Sequence, residues 1–254
     1  MKAQVRKKNE KEVAAVSHRG QAHERRREVR RALAEKSAAA AIGLIEHGCD
    51  IFVLTAGQFD LIDAIIHVLS ATGRADVVLA TWTAAAADIK FAYKILEEGR
   101  IRSIRFLVDF SFVSRQPAYC AALRETFGED CIRITKLHAK FVLVRNASWD
   151  VVIKTSMNLN QNRRMETIEV SEDKEFANFM QAFVDEVFGA QPVVGQFEKR
   201  PMDHMQDFER LVNPGAEVNE ETVLQSTDAK RFYSEGPFGN DLRRTGITYL
   251  GGRK

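Results

Sequence analysis

Two short clusters of polar side chains carry the groups that could do chemistry in this chain. His138 and Lys140 are two residues apart, and Ser156 and Asn158 repeat that spacing further along. Side chains two residues apart on a strand point to the same face, so each pair can present itself to one ligand. A cation, an amide donor, a hydroxyl and an imidazole that converge form a site for a tetrahedral oxyanion. The pattern therefore predicts an oxyanion-binding site.

The longer segment that follows Ser156 strengthens this interpretation. A histidine and a lysine two apart are by themselves a weak signal, because such pairs often lie on a solvated face. The segment from His138 to Glu169 resembles the HxK…(S/T)xN signature of the phospholipase D superfamily, and is most similar to its single-copy, nuclease-like branch. Arg145 and Thr155 depart from the family pattern, which commonly has an aspartate and a glycine there. The downstream residues that fall on the pattern are Ser156, Asn158, Leu159, Asn162, Arg164, Glu166 and Glu169.

The resemblance implies a covalent mechanism. His138 would attack phosphorus and form a phosphohistidine. Lys140 and Asn158 would hold the non-bridging oxygens, with Ser156 as a further phosphate-binding group. Glu169 matches the family's orienting acid, which would fix the imidazole tautomer.

Glu166 is the second choice for that acid, and we expect it to pair with Arg164. The resemblance implies that neither a metal nor a cofactor is required.

The chain contains one copy of the motif. The leaving oxygen needs a proton from a second group, and family members with two motif copies supply both groups from one chain. Because no second HxK followed by SxN occurs in the sequence, the resemblance implies a homodimer or a higher even oligomer. His138 of each subunit would then face the other across a two-fold axis.

Hydrophobic periodicity indicates the elements that position this motif. Short apolar runs at 51–54, 77–80 and 104–108 alternate with helical stretches at 59–69, 84–96 and 117–127. Four strand-like runs follow at 131–135, 140–144, 151–154 and 167–171, and an amphipathic helix covers 176–188. This order predicts an α/β fold with a mixed sheet flanked by helices, over residues 45–190. Residues 191–254 lack periodicity and predict an extended or partner-ordered tail.

The N-terminal 44 residues are predicted to be a basic helical arm. Net charge is only +2, yet basic residues cluster before residue 37, and the abundant Ala, Glu and Arg favour helix. Clustered arginines bind the nucleic-acid backbone without sequence preference. We expect that contact from Arg25, Arg26, Arg27, Arg30 and Arg31. A solvated helix with Glu–Arg pairs and attachment to an acidic protein partner are the alternatives.

The remaining features bear on compartment and on competing functions. Cys49, Cys120 and Cys131 show no metal-ligand spacing and fit reduced core thiols. No secretory signal or membrane-spanning stretch is evident, so we expect a soluble, cytoplasmic protein with a possible protein partner for the tail. The favoured function is a metal-independent nuclease. The alternatives are a non-catalytic nucleic-acid-binding or assembly protein, and a phospholipid hydrolase or transferase.

Overall fold

The computed structural model describes residues 26–81, 86–157, 159, 163–191, 193, 195 and 197–224. One eight-stranded sheet runs through the chain. Its strands are β1 Arg26–Ala32, β2 Cys49–Thr55, β3 Ala75–Thr81, β4 Ile101–Asp109, β5 Ile132–Thr135, β6 Phe141–Arg145, β7 Asp150–Thr155 and β8 Glu166–Glu172. Their order across the sheet is β1-β2-β8-β7-β6-β3-β4-β5.

The sheet is mixed. β1 pairs in parallel with β2, and β3 and β5 pair in parallel with β4. The pairs in the centre of the sheet, from β2 through β8, β7 and β6 to β3, are antiparallel. β6 and β8 therefore run opposite to the other six strands. The predicted α/β class with a mixed sheet flanked by helices is confirmed.

Helices cover both faces of the sheet. They are α1 Ala38–Ile42, α2 Leu61–Thr72, α3 Ala86–Glu97, α4 Phe110–Arg115, α5 Pro117–Phe127, α6 Lys174–Ala190, α7 Pro201–Val212 and α8 Glu220–Leu224. The start of α2 is fixed by a capping box between Asp60 and Asp63, which satisfies backbone N–H groups that have no partner within the helix. None of the helices in the described ranges has the length and apolar character needed to cross a membrane.

The two faces of the sheet bury separate apolar clusters. Val142, Val144 and Ile153 point to the larger cluster, which also contains the buried residues of α2. Leu143 and Val152, one position out of phase, point to the smaller cluster beneath α6. Both faces of the central strands are therefore buried, which explains why β6 reads as a continuous apolar run instead of an alternating one.

The predicted helix is wrong for Arg26–Ala32, which forms an edge strand. Each residue of this segment pairs in register with β2, from Arg26 opposite Cys49 to Ala32 opposite Thr55. Helix propensity is a weak preference, and tertiary hydrogen bonds override it. Burial of Ala32 against the larger cluster anchors the end of the strand.

The predicted absence of regular structure after residue 190 is also wrong for part of that region. Helices α7 and α8 lie there, and Met202, Met205, Val223 and Leu224 are buried in the larger cluster. α7 begins with a proline, whose missing N–H costs nothing at the first turn. Pro201 therefore marks a helix start within the region predicted to be extended.

Candidate active site at the carboxyl edge of the sheet

Strand direction brings the motif residues to one edge of the sheet. Six strands end at this edge, at Ala32, Thr55, Thr81, Asp109, Thr135 and Thr155, while β6 and β8 begin there. We call it the carboxyl edge. His138 and Lys140 precede β6, Ser156 follows β7, and Glu166 opens β8. Three neighbouring strands thus bring residues distant in sequence to a common place.

Lys140 lies at the end of the β6–β7 ladder. Its carbonyl accepts a hydrogen bond from the Thr155 amide at 3.2 Å, and its Nζ donates to the His138 carbonyl at 3.4 Å. The side chain is half-buried. Burial lowers the pKa of the Lys140 ammonium, and the negative charge of Glu166 partly opposes that shift. The site therefore holds a partly desolvated cation beside a carboxylate.

Ser156 is held from both sides by β8. Its hydroxyl donates to the Glu166 carboxylate and accepts from the Thr167 amide at 2.9 Å. Its own amide donates to the Thr167 carbonyl at 3.1 Å. These bonds fix the Ser156 hydroxyl next to the carboxylate that also interacts with Lys140.

Thr155, one of the two departures from the phospholipase D pattern, has a local structural role. Its hydroxyl donates to the Thr167 carbonyl at 2.7 Å and accepts from the Met157 amide at 2.9 Å. The threonine thus ties β7 to β8 immediately before Ser156. Met157 and Leu159 are buried on either side of Asn158; Asn158 itself lies outside the described residues.

His138 lies in the connection between β5 and β6 and not on a strand, contrary to the prediction. Its side chain is exposed. The connection is anchored by Asp109, whose carboxylate accepts from the Leu137 amide at 2.9 Å and from the Ser111 amide at 2.9 Å. Asp109 is only 6% exposed. Asp109 lies outside the motif, although an aspartate that ends a buried strand is a recognisable signal for the carboxyl edge.

Glu169 lies on the other face of the sheet from Glu166. It is paired with Lys154 in the ladder, and its carboxylate forms an ion pair with the Lys154 ammonium at 2.9 Å. That ammonium also lies 5.2 Å from the ring centroid of Phe176 on α6. Side chains alternate along a strand, so Glu169 faces α6 while Glu166 shares the face of Ile168. The structure brings Glu166 to Ser156 and Lys140, and does not bring Glu169 there.

Two arginines of the motif segment, Arg145 and Arg164, lie in different surroundings. Arg145 forms an ion pair with Asp150 at 2.6 Å and donates to Asn178 at 2.6 Å, so it closes the β6–β7 hairpin against α6. Arg164 is exposed, and within the described part of the chain it forms no ion pair; the expected pairing with Glu166 is not formed.

The basic residues of β1 fall into two groups. Arg26 pairs with Glu46 at 3.0 Å, Arg27 with Asp50 at 3.6 Å, and Arg30 with Glu28. Arg31 is exposed and pairs with no acid among the described residues. Arg25 lies outside those residues. Three of the expected nucleic-acid contacts are thus already engaged with acids of this chain.

The cysteines show no sign of thiolate chemistry. Cys49 and Cys120 are buried and Cys131 is half-buried. Burial raises the pKa of all three thiols, that of Cys120 to about 12. Protonated thiols are poor nucleophiles and poor metal ligands. Among the residues that the structure describes, no group of three or more His, Cys, Asp or Glu is arranged to hold a metal.

A cleft of about 470 Å³ lies at the opposite edge of the sheet, beneath α6. Its charged lining is neutralised internally, because its arginines pair with its aspartates: Arg102 with Asp76, Arg105 with Asp185, and Arg145 with Asp150. It contains neither an imidazole nor an unpaired lysine. The carboxyl edge is therefore the better candidate.

Comparisons with known proteins add little to this geometry. No protein-family model matches the sequence, and no curated protein matches it. Among solved structures, the chain is similar to polyphosphate kinase from Porphyromonas gingivalis, with a TM-score of 0.42 and 12% identity. The match covers 55% of this chain and 26% of that one, so it spans about a quarter of the kinase. A likeness at this level does not assign an activity.

Proposed function

We propose that this chain is a phosphodiesterase of the phospholipase D type that cleaves nucleic acid through a phosphohistidine. The observation that carries the proposal is the cluster of Lys140, Ser156 and Glu166 at the carboxyl edge, with the exposed imidazole of His138 two residues from Lys140. These are a cation, a hydroxyl, a carboxylate and a nucleophile. Together they match what a metal-independent attack on phosphorus requires.

In this mechanism the neutral imidazole of His138 attacks phosphorus. A nitrogen–phosphorus bond forms, and the bond from phosphorus to the leaving oxygen breaks. The Lys140 ammonium stabilises the charge that accumulates on the non-bridging oxygens. Water then attacks the phosphohistidine and releases the imidazole. Asn158 is assigned to the same oxygens as Lys140 on the family resemblance.

We assign the supporting carboxylate to Glu166. Its bond to Ser156 and its charge beside Lys140 orient the groups that contact phosphate. Glu169 is engaged with Lys154 on the other face of the sheet. Glu166 therefore replaces Glu169 as the acid expected to affect turnover.

The proton for the leaving oxygen is assigned to a second copy of the chain. Of the other histidines in the described ranges, His47 stacks on Trp149 with ring centroids 3.9 Å apart. His67 bonds the Gly43 carbonyl at 2.6 Å, and His204 is only 2% exposed. His138 is exposed at the edge where a second copy could place its own imidazole.

The first experiment measures cleavage of bis(p-nitrophenyl) phosphate and of labelled single- and double-stranded DNA and RNA, all in EDTA. We expect metal-independent cleavage by the wild type, and a loss of at least about 10³-fold in His138→Ala. His47→Ala is the matched control. It removes an exposed imidazole that precedes β2, at the opposite edge of the sheet from Lys140. We expect that variant to retain wild-type activity.

Two outcomes would contradict the proposal. Cleavage that survives in His138→Ala would exclude the assigned nucleophile. Absence of cleavage on every substrate, with retained salt-sensitive binding, would favour the non-catalytic binding protein. Phosphatidylcholine vesicles serve as a further substrate, and turnover of these alone would favour the lipid-directed alternative.

The dimer is tested separately by mixing. Sedimentation would measure the mass of the particle, and His138→Ala would be titrated into a fixed amount of wild type. If each reaction needs both imidazoles, mixed dimers are inactive and activity falls faster than by dilution alone. A monomer with full activity would contradict the shared site.

A further inference from the structure

Unpaired cations are distributed unevenly along β1. Arg26, Arg27 and Arg30 have acidic partners within the chain, as described above, so binding a phosphate would require each to leave its partner or to share its charge. Arg31 lies at the carboxyl edge, opposite Leu54 and one residue before the strand ends. It is exposed and forms no ion pair with a described residue. The free charge of β1 is thus concentrated at the end nearest the candidate site.

More unpaired cations lie at the same edge. Arg163 and Arg164 are exposed in the segment that leads into β8, and neither pairs with an acid in the described part of the chain. β8 begins with Glu166 opposite Thr55 of β2, which itself lies opposite Ala32. These arginines therefore lie between β1 and the Lys140 region. Two acids of this edge, Glu166 and Glu35, form hydrogen bonds with the Ser156 hydroxyl and the Ala34 amide. Within the described ranges neither forms an ion pair with these arginines.

The order of the strands in the sheet gives the distance between Arg31 and Lys140 along the carboxyl edge. From β1 to β6 there are four strand-to-strand steps, through β2, β8 and β7. Neighbouring strands lie about 4.8 Å apart, so Arg31 and Lys140 are separated by about 19 Å. At the rise of about 3.4 Å per stacked nucleotide, this distance corresponds to about six nucleotides.

We propose that Arg31, Arg163 and Arg164 form a track that carries one strand of a nucleic acid away from the catalytic site, perpendicular to the β-strands. This inference rests on the proposed function, and deepens it by giving the direction and length of the bound polymer. A row of cations that contacts phosphates gives affinity without base preference, and each contact adds to the salt dependence of binding. The track also predicts which arginines of β1 matter: Arg31 does, and Arg26 does not.

The test measures binding of labelled thymidine oligonucleotides of three, six, nine and twelve nucleotides at several salt concentrations by fluorescence anisotropy. We expect wild-type affinity to rise between three and nine nucleotides and then level off. Arg31→Gln should lose several-fold in affinity for the nine-nucleotide probe and little for the three-nucleotide probe. Its salt slope should fall by about 0.7, the value for one phosphate contact on a single strand. Arg163→Gln should behave similarly.

Two control variants remove the same charge elsewhere. Arg26→Gln lies on the same strand but removes an arginine paired with Glu46, and Arg102→Gln removes one paired with Asp76 away from the carboxyl edge. We expect both to bind like wild type. If either weakens binding as much as Arg31→Gln, or if affinity does not depend on length, or if no oligonucleotide binds, the track is wrong. Turnover of bis(p-nitrophenyl) phosphate by wild type reports on the proposed function independently, since that diester is too small to reach Arg31.

Discussion

Glu166 and Glu169 show how much a single residue's function depends on which face of a strand it occupies. They are three positions apart on β8, so they point to opposite faces. Glu166 contacts Ser156 and influences Lys140, whereas Glu169 pairs with Lys154 near α6. Spacing along the strand places them on opposite faces but does not say which face carries the site, because both match the resemblance. Their contacts with Ser156 and Lys154 decide that.

The first prediction concerns this pair. Glu166→Gln should lower kcat by roughly 10²-fold or more, because it removes the charge beside Lys140 and weakens the hold on Ser156. Glu169→Gln removes the same charge and should change kcat only a few-fold, since its ion pair is partly exposed and such pairs contribute at most about 1 kcal/mol. Diester turnover of the two variants, with circular dichroism as a check of folding, makes the comparison. Equal losses would reverse our assignment of the acid.

The second prediction follows from the burial of Lys140. Burial lowers the pKa of its ammonium, with Glu166 opposing part of that shift. As pH rises through this lowered pKa, the ammonium loses its proton and its attraction for phosphate. On the alkaline side of the pH profile, kcat/KM should therefore begin to decrease at a pH below the pKa of an ordinary lysine.

Lys140→Arg keeps its charge throughout this range, because a guanidinium is not deprotonated in proteins. Its alkaline limb should move to higher pH even if its overall rate is lower. The pH profiles of the two proteins provide the measurement. A limb at the same pH in both would show that another group sets it.

Among the elements, the connection from β5 to β6 has the most consequence, because it carries His138. It has no regular structure of its own. Its position depends on Asp109 at the end of β4, which binds the amides of Leu137 and Ser111. A buried carboxylate thus links the start of α4 to the loop that presents the imidazole. Asp109 acts through the loop and is a positioning residue.

The third prediction tests this link. Asp109→Ala leaves two amide donors without their acceptor, which should cost about 1–3 kcal/mol of unfolding free energy. kcat should fall as well, because His138 loses its fixed position. Asp109→Asn keeps one acceptor oxygen and should be less severe on both measures. Asp185→Ala, which removes an exposed partner of Arg105, is the control in urea unfolding and should cost well under 1 kcal/mol. Full activity in a folded Asp109→Ala protein would contradict the role.

At the scale of the whole molecule, α7 extends the core beyond the helix that ends at Ala190. Met202 and Met205 are buried in the larger apolar cluster. Phe208 on the same helix lies beside Lys136, whose ammonium is 5.6 Å from the ring centroid. Lys136 belongs to the connection that carries His138. Helix α7 thus packs on the core and contacts the neighbourhood of the candidate site.

The fourth prediction measures that packing. Met205→Ala should lower the free energy of unfolding by about 2–5 kcal/mol, the usual cost of truncating a buried methionine. Val212→Ala is the matched control, because Val212 is at the end of the same helix and is 42% exposed. It should cost less than about 0.5 kcal/mol. Equal, small effects in urea unfolding would mean that α7 does not contribute to the core.

The sequence by itself determined most of the local structure. The apolar runs that form β2 to β8 and the helical stretches α2, α3, α5 and α6 were predicted within a few residues, because their periodicity directly reflects burial on one face or on both. Pro117 opens α5 and Gly73 follows the last residue of α2, and both boundaries reflect backbone constraints that are local in sequence. The motif also predicts that Lys140 and Ser156 lie close together, and they flank the paired ends of β6 and β7.

Only the tertiary structure decided how those elements combine. A segment rich in Arg, Glu and Ala became β1 because β2 offered it a ladder of hydrogen bonds, a gain that no local propensity contains. The same ladder placed Arg31 at the carboxyl edge, while acids distant in sequence engaged Arg26 and Arg27. The register of β8 with β7 placed Glu169 opposite Lys154. Local geometry is encoded by neighbours in sequence, whereas the site depends on which distant residues the sheet brings together.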